Sequence, residues 1–362
     1  PSVGKYTYSA TYKGTDKISR AVDTGVFEVM PVDYNVILNA PDVKMIYHDG
    51  TRFTATLTDE KGNPIRDAAI EITINGRSYD KITDEKGGVS LGLNLDSGIY
   101  SVVVKFKGLP NYSPITKHAN VTIEPTVKGL DVVKMFRNST QYYAIFTDSQ
   151  GNFLKNKNVQ FNINGVFYTK TTNDKGIAMM GINLNPGKYI ITAKNLVTGE
   201  QSSNIITVKS LIVQKDLTKY YLNASRFQTT IYNKDGSLAV NKEVTFNING
   251  VFYHRTTDSN GVASLGISLR PGEYIITTMF DGLAIGNKVS VLPTLVTKNL
   301  NMKYLDGSSF TAQTLDGQGK PLANQNVSFN VNGVFYYKVT DNNGMAKLNI
   351  RLMPGEYIIT SC

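Results

Sequence analysis

Thr245-Phe246-Asn247-Ile248-Asn249-Gly250-Val251-Phe252-Tyr253 is the stretch that decides the fold of this chain. Val244, Phe246 and Ile248 alternate with polar residues, the two-residue period of a strand with one buried face. Asn249-Gly250 then interrupts the run. A type I′ turn needs positive φ at both central positions, and Asn-Gly supplies it. Val251–Thr256 reads as the returning strand, so the segment is a β-hairpin. The hairpin recurs. Residues 160–168 read Gln-Phe-Asn-Ile-Asn-Gly-Val-Phe-Tyr, residues 328–336 read Ser-Phe-Asn-Val-Asn-Gly-Val-Phe-Tyr, and Ile72-Thr73-Ile74-Asn75-Gly76-Arg77-Ser78-Tyr79 is a fainter copy. Gly76, Gly165, Gly250 and Gly333 are 89, 85 and 83 residues apart. That period exceeds a solenoid unit and suits a self-contained small domain.

Around the hairpin, Arg226–Tyr232 places Phe227, Thr229 and Ile231 on one face, and Asn233–Gly236 is a turn. Ala263, Leu265, Ile267 and Leu269 alternate after the turn at 257–261, and Pro271-Gly272 punctuates the chain again. Tyr274–Met279 and Lys288–Val291 supply the last two strands. No segment carries a capped 3.6-residue apolar period, so helix is not expected. Seven or so short strands per repeat, each ended by a Gly, Asn or Asp turn, predict an all-β chain of tandem immunoglobulin-like β-sandwich domains in an elongated rod. Tyr100, Tyr189, Tyr274 and Tyr357 each follow a glycine by two residues, as Tyr6 follows Gly4. That is the place of the tyrosine corner, whose hydroxyl bonds back across the turn. Ile191, Ile276 and Ile359 stand where a disulfide cysteine would be.

The frames give a C-terminal remnant of a domain at 1–31, complete domains at 32–125, 126–209 and 210–293, and a truncated domain at 294–362. At ~3.3 Å per strand residue each sandwich is roughly 35–45 Å long, and the array about 130–180 Å. The ragged ends read as the margins of an excerpt, with any export signal or anchor outside it. Both stumps expose strand edges. Continuation into neighbouring repeats would cover them, as would head-to-tail self-association, with Lys5–Phe27 of one chain completing the open sheet of another.

Charged residues make up 19% of the 362 residues and apolar ones 41%, which excludes a disordered or membrane-spanning chain. The net charge of +9 is spread without a basic cluster, so no nucleic-acid partner is expected. No membrane insertion is expected within the fragment. Cys362 is the one cysteine, so no internal disulfide forms.

No enzymatic motif emerges. His48, His118 and His254 do not recur between repeats and lack metal-ligand spacing. Aspartate turns at 58–62, 147–151 and 315–319 offer one or two carboxylates each, fewer than calcium requires, and read as hairpin turns. No cofactor is expected, Ca2+ being the one weighed. Lys44, Lys134, Lys219 and Lys303 on the first strand, with Asn120, Asn204 and Asn287 near the last, are the ingredients of a self-formed isopeptide crosslink. That chemistry also needs a buried acid, and the middle-strand position is Glu71 in one copy but Gln160, Thr245 and Ser328 in the others. A snorkelling strand lysine is the preferred reading. Asn111, Asn120, Asn138, Asn223 and Asn326 begin Asn-x-Ser/Thr triplets, compatible with glycosylation on an exported chain.

The unit Val-x-Phe-Asn-Ile-Asn-Gly-Val-Phe-Tyr, then Thr-Asp-x-x-Gly-x-Ala, then Pro-Gly-x-Tyr-Ile-Ile-Thr resembles the Ig-like repeats of adhesin-like surface proteins from methanogenic archaea. More distantly it is similar to bacterial invasin- and intimin-type stalk domains. The pattern covers residues 210–362 closely, 126–209 well and 32–125 loosely. The resemblance implies an extracellular, wall-associated stalk in contact with other cells or cell-wall glycans, and it carries over no site residues. The alternatives are a carbohydrate-binding array, with Tyr168, Tyr253 and Tyr336 as stacking platforms, and a spacer for a catalytic or wall-anchoring domain outside the fragment.

Overall fold

A computed structural model describes residues 1–2, 4–30 and 34–362. Among the described residues every helix or strand is a strand. The junction expected at 31/32 lies outside the described residues. The chain forms two compact units, one of residues 1–132, 141–181 and 189–206, the other of 133–140, 182–188 and 207–362.

The first unit opens with a two-stranded hairpin, Gly4–Tyr12 against Ala21–Val29. The first complete repeat follows. Val36–Asn39, Arg52–Asp59 and Gly88–Gly92 make a three-stranded sheet. The facing sheet runs, in spatial order, Val43–Ile46, Ile115–Glu124, Gly98–Phe106, Ala69–Ile74, Arg77–Ile82. Phe53, Leu57, Ile72, Val102, Val104 and Val121 are completely buried in its core. In the second unit the third repeat has the same plan. Ile212–Gln214, Arg226–Ile231 and Val262–Gly266 form the small sheet, and Leu217–Tyr220, Leu283–Leu292, Gly272–Phe280, Glu243–Ile248 and Val251–Thr256 the large one. The fourth repeat keeps its small sheet, but its other sheet has three strands, Val334–Val339, Asn326–Val331 and Ile359–Ser361. The second repeat has one three-stranded and one five-stranded sheet and contributes to both units.

Each complete repeat therefore has eight strands. The first strand of the expected sandwich is broken in two: Ile212–Gln214 pairs antiparallel in the small sheet, and two residues later Leu217–Tyr220 pairs in the large one. All four Asn-Gly hairpins adopt the type I′ geometry, with φ of 49–53° at Asn75, Asn164, Asn249 and Asn332 and 72–83° at the glycines. The tyrosine corners form: Tyr100, Tyr274 and Tyr357 each donate a 2.8 Å hydrogen bond to a carbonyl four residues earlier, those of Asp96, Arg270 and Met353. Aromatic pairs join the two sheets. Tyr142–Phe161, Phe227–Phe246 and Phe310–Phe329 meet edge to face at 5.4, 6.0 and 5.9 Å. Burying each such ring contributes roughly 1.5–3 kcal/mol.

The outer edge strand of each large sheet carries a cation at one register position. Lys81, Lys170, Arg255 and Lys338 lie opposite the buried Ile70, Val159, Val244 and Val327, and so lean toward the core side. A charge there blocks another strand from docking on the open edge, because pairing would strip its water.

Candidate functional site

In the complete repeats the site of most interest is the seam between early and late strands. Leu217–Tyr220 runs parallel to Val289–Leu292, and Val43–Ile46 runs parallel to Val121–Glu124. An aspartate just before the early strand clamps the late one. Asp42, Asp131 and Asp216 accept the backbone N–H of Asn120, Ile205 and Lys288 at 2.7, 2.8 and 2.9 Å. Asp216 also accepts from Asn287 Nδ2 at 2.7 Å. These bonds, the Lys288 N–H first, hold the Asp216 carboxyl below its usual range.

This geometry corrects the lysine frame. His48, Arg137, Leu222 and Leu305 take the left-handed conformation, φ 57–59°, just after the early strand or its counterpart, and mark the same point in every repeat. Three residues before them stand Met45, Lys134, Lys219 and Met302. Lys44 and Lys303 are one residue out of frame. Lys44 is exposed and reaches Glu124 at 3.6 Å, while Lys303 is exposed. Asn120 is displaced likewise. The aspartate clamp aligns it with Ile205 and Lys288, so the counterpart of Asn204 and Asn287 is the buried Ala119. A one-residue shift in a strand turns a side chain from core to solvent.

Lys134 and Lys219 do not snorkel; they are 5% and 6% exposed. Lys134 Nζ donates to the carbonyls of Ile182 at 2.8 Å, Thr140 at 3.1 Å and Asn138. Lys219 Nζ donates to Ile267 O at 2.7 Å. Burial pushes both ammonium pKa values down. No hydrogen bond joins either lysine to the asparagine once paired with it. Asn204 Oδ1 accepts from Tyr142 Oη at 2.8 Å, and Asn287 Oδ1 from Gln214 Nε2 at 2.8 Å. Glu71, the acid considered for the crosslink, pairs with Lys107 at 3.0 Å.

At Asn138 and Asn223 the residue after the left-handed position closes a joint to the next repeat. In the second unit Asn138 Nδ2 donates to Lys234 O at 2.7 Å, and Asn223 Nδ2 donates to Gly317 O at 2.5 Å. Arg137 reaches Asp281 O at 3.2 Å, and Lys234 pairs with Asp281 at 2.9 Å. Tyr220 packs so closely on Gly319 that an added Cβ would lie 2.3 Å from its ring. In the first unit the equivalent residue is Asp49, which has no N–H to offer. There Ile46 instead approaches Gly151. Asn138 and Asn223 head two of the Asn-x-Ser/Thr triplets, so their amides serve the joint. The aspartate turns at 147–151 and 315–319 sit at these contacts. Asp59, Asp148 and Asp316 each accept two backbone N–H groups of their own turn through Oδ1, which occupies the carboxylate locally. Among the described residues no group of three or more His, Cys, Asp or Glu is placed to hold a metal.

Tyr168, Tyr253 and Tyr336 lie on the outer edge strands. Each faces a buried phenylalanine across the hairpin, Phe161, Phe246 or Phe329, and so stands on the core side. The preceding Phe167, Phe252 and Phe335 take the outer face and are 64%, 58% and 56% exposed. The strand alternation of Val-Phe-Tyr was the available signal for this difference.

The chain is similar to a bacterial adhesin. The inverse autotransporter adhesin YeeJ of Escherichia coli (strain K12) is 21% identical over 403 residues, covering 92% of this chain. The chain spans 17% of that relative's length. The relative is bacterial, and gives no support to the archaeal origin implied by the repeat motif. No family model matches the chain. Among solved structures, a Ca2+-stabilized adhesin with which an Antarctic bacterium binds ice is 14% identical, covers 91% of this chain and 98% of its own, and has a TM-score of 0.20. The I9–I11 tandem of titin is 13% identical, with coverage of 71% and 99% and a TM-score of 0.25.

Proposed function

We propose that this chain is a non-enzymatic, load-bearing stalk segment of a cell-surface adhesin. Its repeats at 32–125, 126–209 and 210–293, flanked by the partial ones at 1–31 and 294–362, hold contact regions away from the cell and touch other cells or wall glycans. The observation that carries this reading is the parallel seam. Tension enters a repeat near its early strand and leaves by its late strand, so it slides two parallel strands past each other. All the seam hydrogen bonds then resist together, rather than opening one by one. The aspartate clamps and, in the second and third repeats, the buried ammonium groups add to the same seam. Distant similarity to a surface adhesin supports an extracellular setting. Among the described residues no helix is long and apolar enough to cross a membrane.

The test is to stretch single molecules end to end. Discrete, evenly spaced unfolding events from the three complete repeats are expected; gradual extension without events refutes the load-bearing role. Head-to-tail association through the open sheets at 1–31 and 294–362 belongs to the same proposal. Light scattering at rising concentration checks it, a strict monomer excluding it.

A further inference from the structure

Each large sheet has a face turned away from the core, and one row across it differs from its neighbours. In the second repeat Asn162 lies between the buried Phe161 and Ile163, and therefore points outward. Its register partners are Phe167 on the edge strand and Thr192 on the inner one. In antiparallel ladders such partners share a face with Cβ atoms about 5 Å apart. Thr192 is bonded in turn to Ser203, Oγ to Oγ, at 2.9 Å. The third repeat repeats the row as Phe252–Asn247–Thr277, and the fourth as Phe335–Asn330–Thr360. Two residues before each threonine, on the same face, stands an exposed isoleucine: Ile190, Ile275 and Ile358.

The adjacent row on the same face has no such constancy. It reads Thr169–Gln160–Lys194 in the second repeat and His254–Thr245–Met279 in the third, and the fourth has Tyr337–Ser328. Side chains that are at least half exposed in the phenylalanine case, and contribute nothing to the core, are thus kept across three repeats while those one step away drift. The first repeat lacks the set. Its row is Ser78–Thr73–Val103, without an aromatic ring.

We infer that the three Phe–Asn–Thr rows are binding strips for an uncharged glycan chain. The inference rests on the reading that the chain contacts glycans, and names the surface that does so. A flat ring flanked by an amide and a hydroxyl matches a pyranose, which has one C–H face to stack on the ring and hydroxyls at its rim. Among the described residues none forms a hydrogen bond with the side chain of Asn162 or Asn247, so amide donors and acceptors are open beside the ring. Asn330 Oδ1 accepts Gly333 N–H at 3.1 Å, leaving its Nδ2 group to donate. None of the three rows contains a charged side chain, although the chain carries +9 overall. That selects a neutral ligand over an anionic one. One strip per repeat suits a polymer, because linked weak sites add up on a shared chain.

The experiment uses the full chain in gels cast with neutral polysaccharides (a β-glucan, a mannan, a xylan) or anionic ones, and on a glycan array. The variants are Phe167→Ala/Phe252→Ala/Phe335→Ala and, on the other side of the same strands, Tyr168→Ala/Tyr253→Ala/Tyr336→Ala. Circular dichroism and melting verify that each variant is folded. Wild type should be retarded by at least one neutral polysaccharide, with apparent affinity falling about tenfold or more in the phenylalanine triple variant and changing little in the tyrosine one. If wild type binds no glycan, the inference and the glycan-contact reading fall together. Undiminished binding by the phenylalanine variant removes these strips and leaves glycan contact standing. Loss in the tyrosine variant alone moves the platform to the core side. Retention by anionic polymers only, abolished by salt, marks a general basic surface and also overturns the inference.

Discussion

Replacing the two buried lysines separates what they contribute from what they cost. Lys134 donates to three main-chain carbonyls and Lys219 to one. A hydrogen bond from a charged donor contributes about 1.5–3 kcal/mol net, and taking an ammonium out of water costs several kcal/mol. At Lys219, with one bond, the two effects nearly cancel; the same position is methionine at Met45, also buried. Lys219→Met, giving up one bond, should therefore change the stability of its repeat by no more than about 1 kcal/mol. Lys219→Ala loses the packed stem as well and should cost about 3 kcal/mol. Lys134→Met gives up three bonds and should be the less favourable of the two methionine variants. Alkaline pH supplies an independent check with a fixed sign. Burial lowers the folded-state pKa of both lysines. Between that value and the unfolded value near ~10.4 the unfolded chain binds more protons, so raising the pH through that window stabilises wild type relative to the double methionine variant. Calorimetry from pH 7 to 10.5 reads both quantities. Equal costs for Lys219→Ala and Lys219→Met, or melting curves of wild type and double variant that stay parallel with pH, would refute a pinned, desolvated ammonium.

Three further outcomes follow from the seam, the joints and the corners. Asp216 has a depressed carboxyl pKa, so its clamp contributes above the unfolded value near ~3.9 and is lost as pH falls through the folded one; Asp216→Asn should lower stability at neutral pH and flatten the acid limb of a melting-temperature profile. Asn138→Asp and Asn223→Asp keep the side-chain shape but put a carboxylate oxygen, which cannot donate, where the N–H met the next repeat. Asp49 and Asp306 already fill the equivalent place and accept their own turn's N–H groups, so melting should be unchanged while scattering shows a broader distribution of lengths. Tyr274→Phe deletes the corner bond to Arg270 O and should cost roughly 0.5–1.5 kcal/mol, measured by urea titration.

Parts of this architecture were legible in the residues because single-residue chemistry enforces them. Asn249-Gly250 must turn, and a tyrosine two residues after a glycine at a strand start finds a carbonyl behind it. The early strand gave no such landmark. It is four residues long, and its end is marked by a left-handed residue that is histidine, arginine or leucine rather than glycine. The nearest lysine stands one position off this frame at Lys44 and Lys303. The joints were hidden for a different reason. Asn138 and Asn223 look like acceptor triplets, and only the approach of a turn nearly a hundred residues away in sequence reveals what their amides hold.

The repeats can be alike in fold and still differ in strength, because the seam is built from parts that vary independently. The aspartate clamp is present at Asp42, Asp131 and Asp216, whereas the buried lysine occurs only in the second and third repeats and the asparagine joint only where those two meet their successors. Under load, withdrawing the early strand of these two repeats requires a bonded ammonium to leave its carbonyls while still buried, so the bonds break before water can replace them. The first repeat, with Met45, has no such step. Pulling the intact chain should therefore give one weaker unfolding event and two stronger ones, and Lys134→Met with Lys219→Met should merge the three into one population even where melting temperatures hardly move. Three equal forces in wild type would show that the hydrogen-bond ladder alone sets the strength.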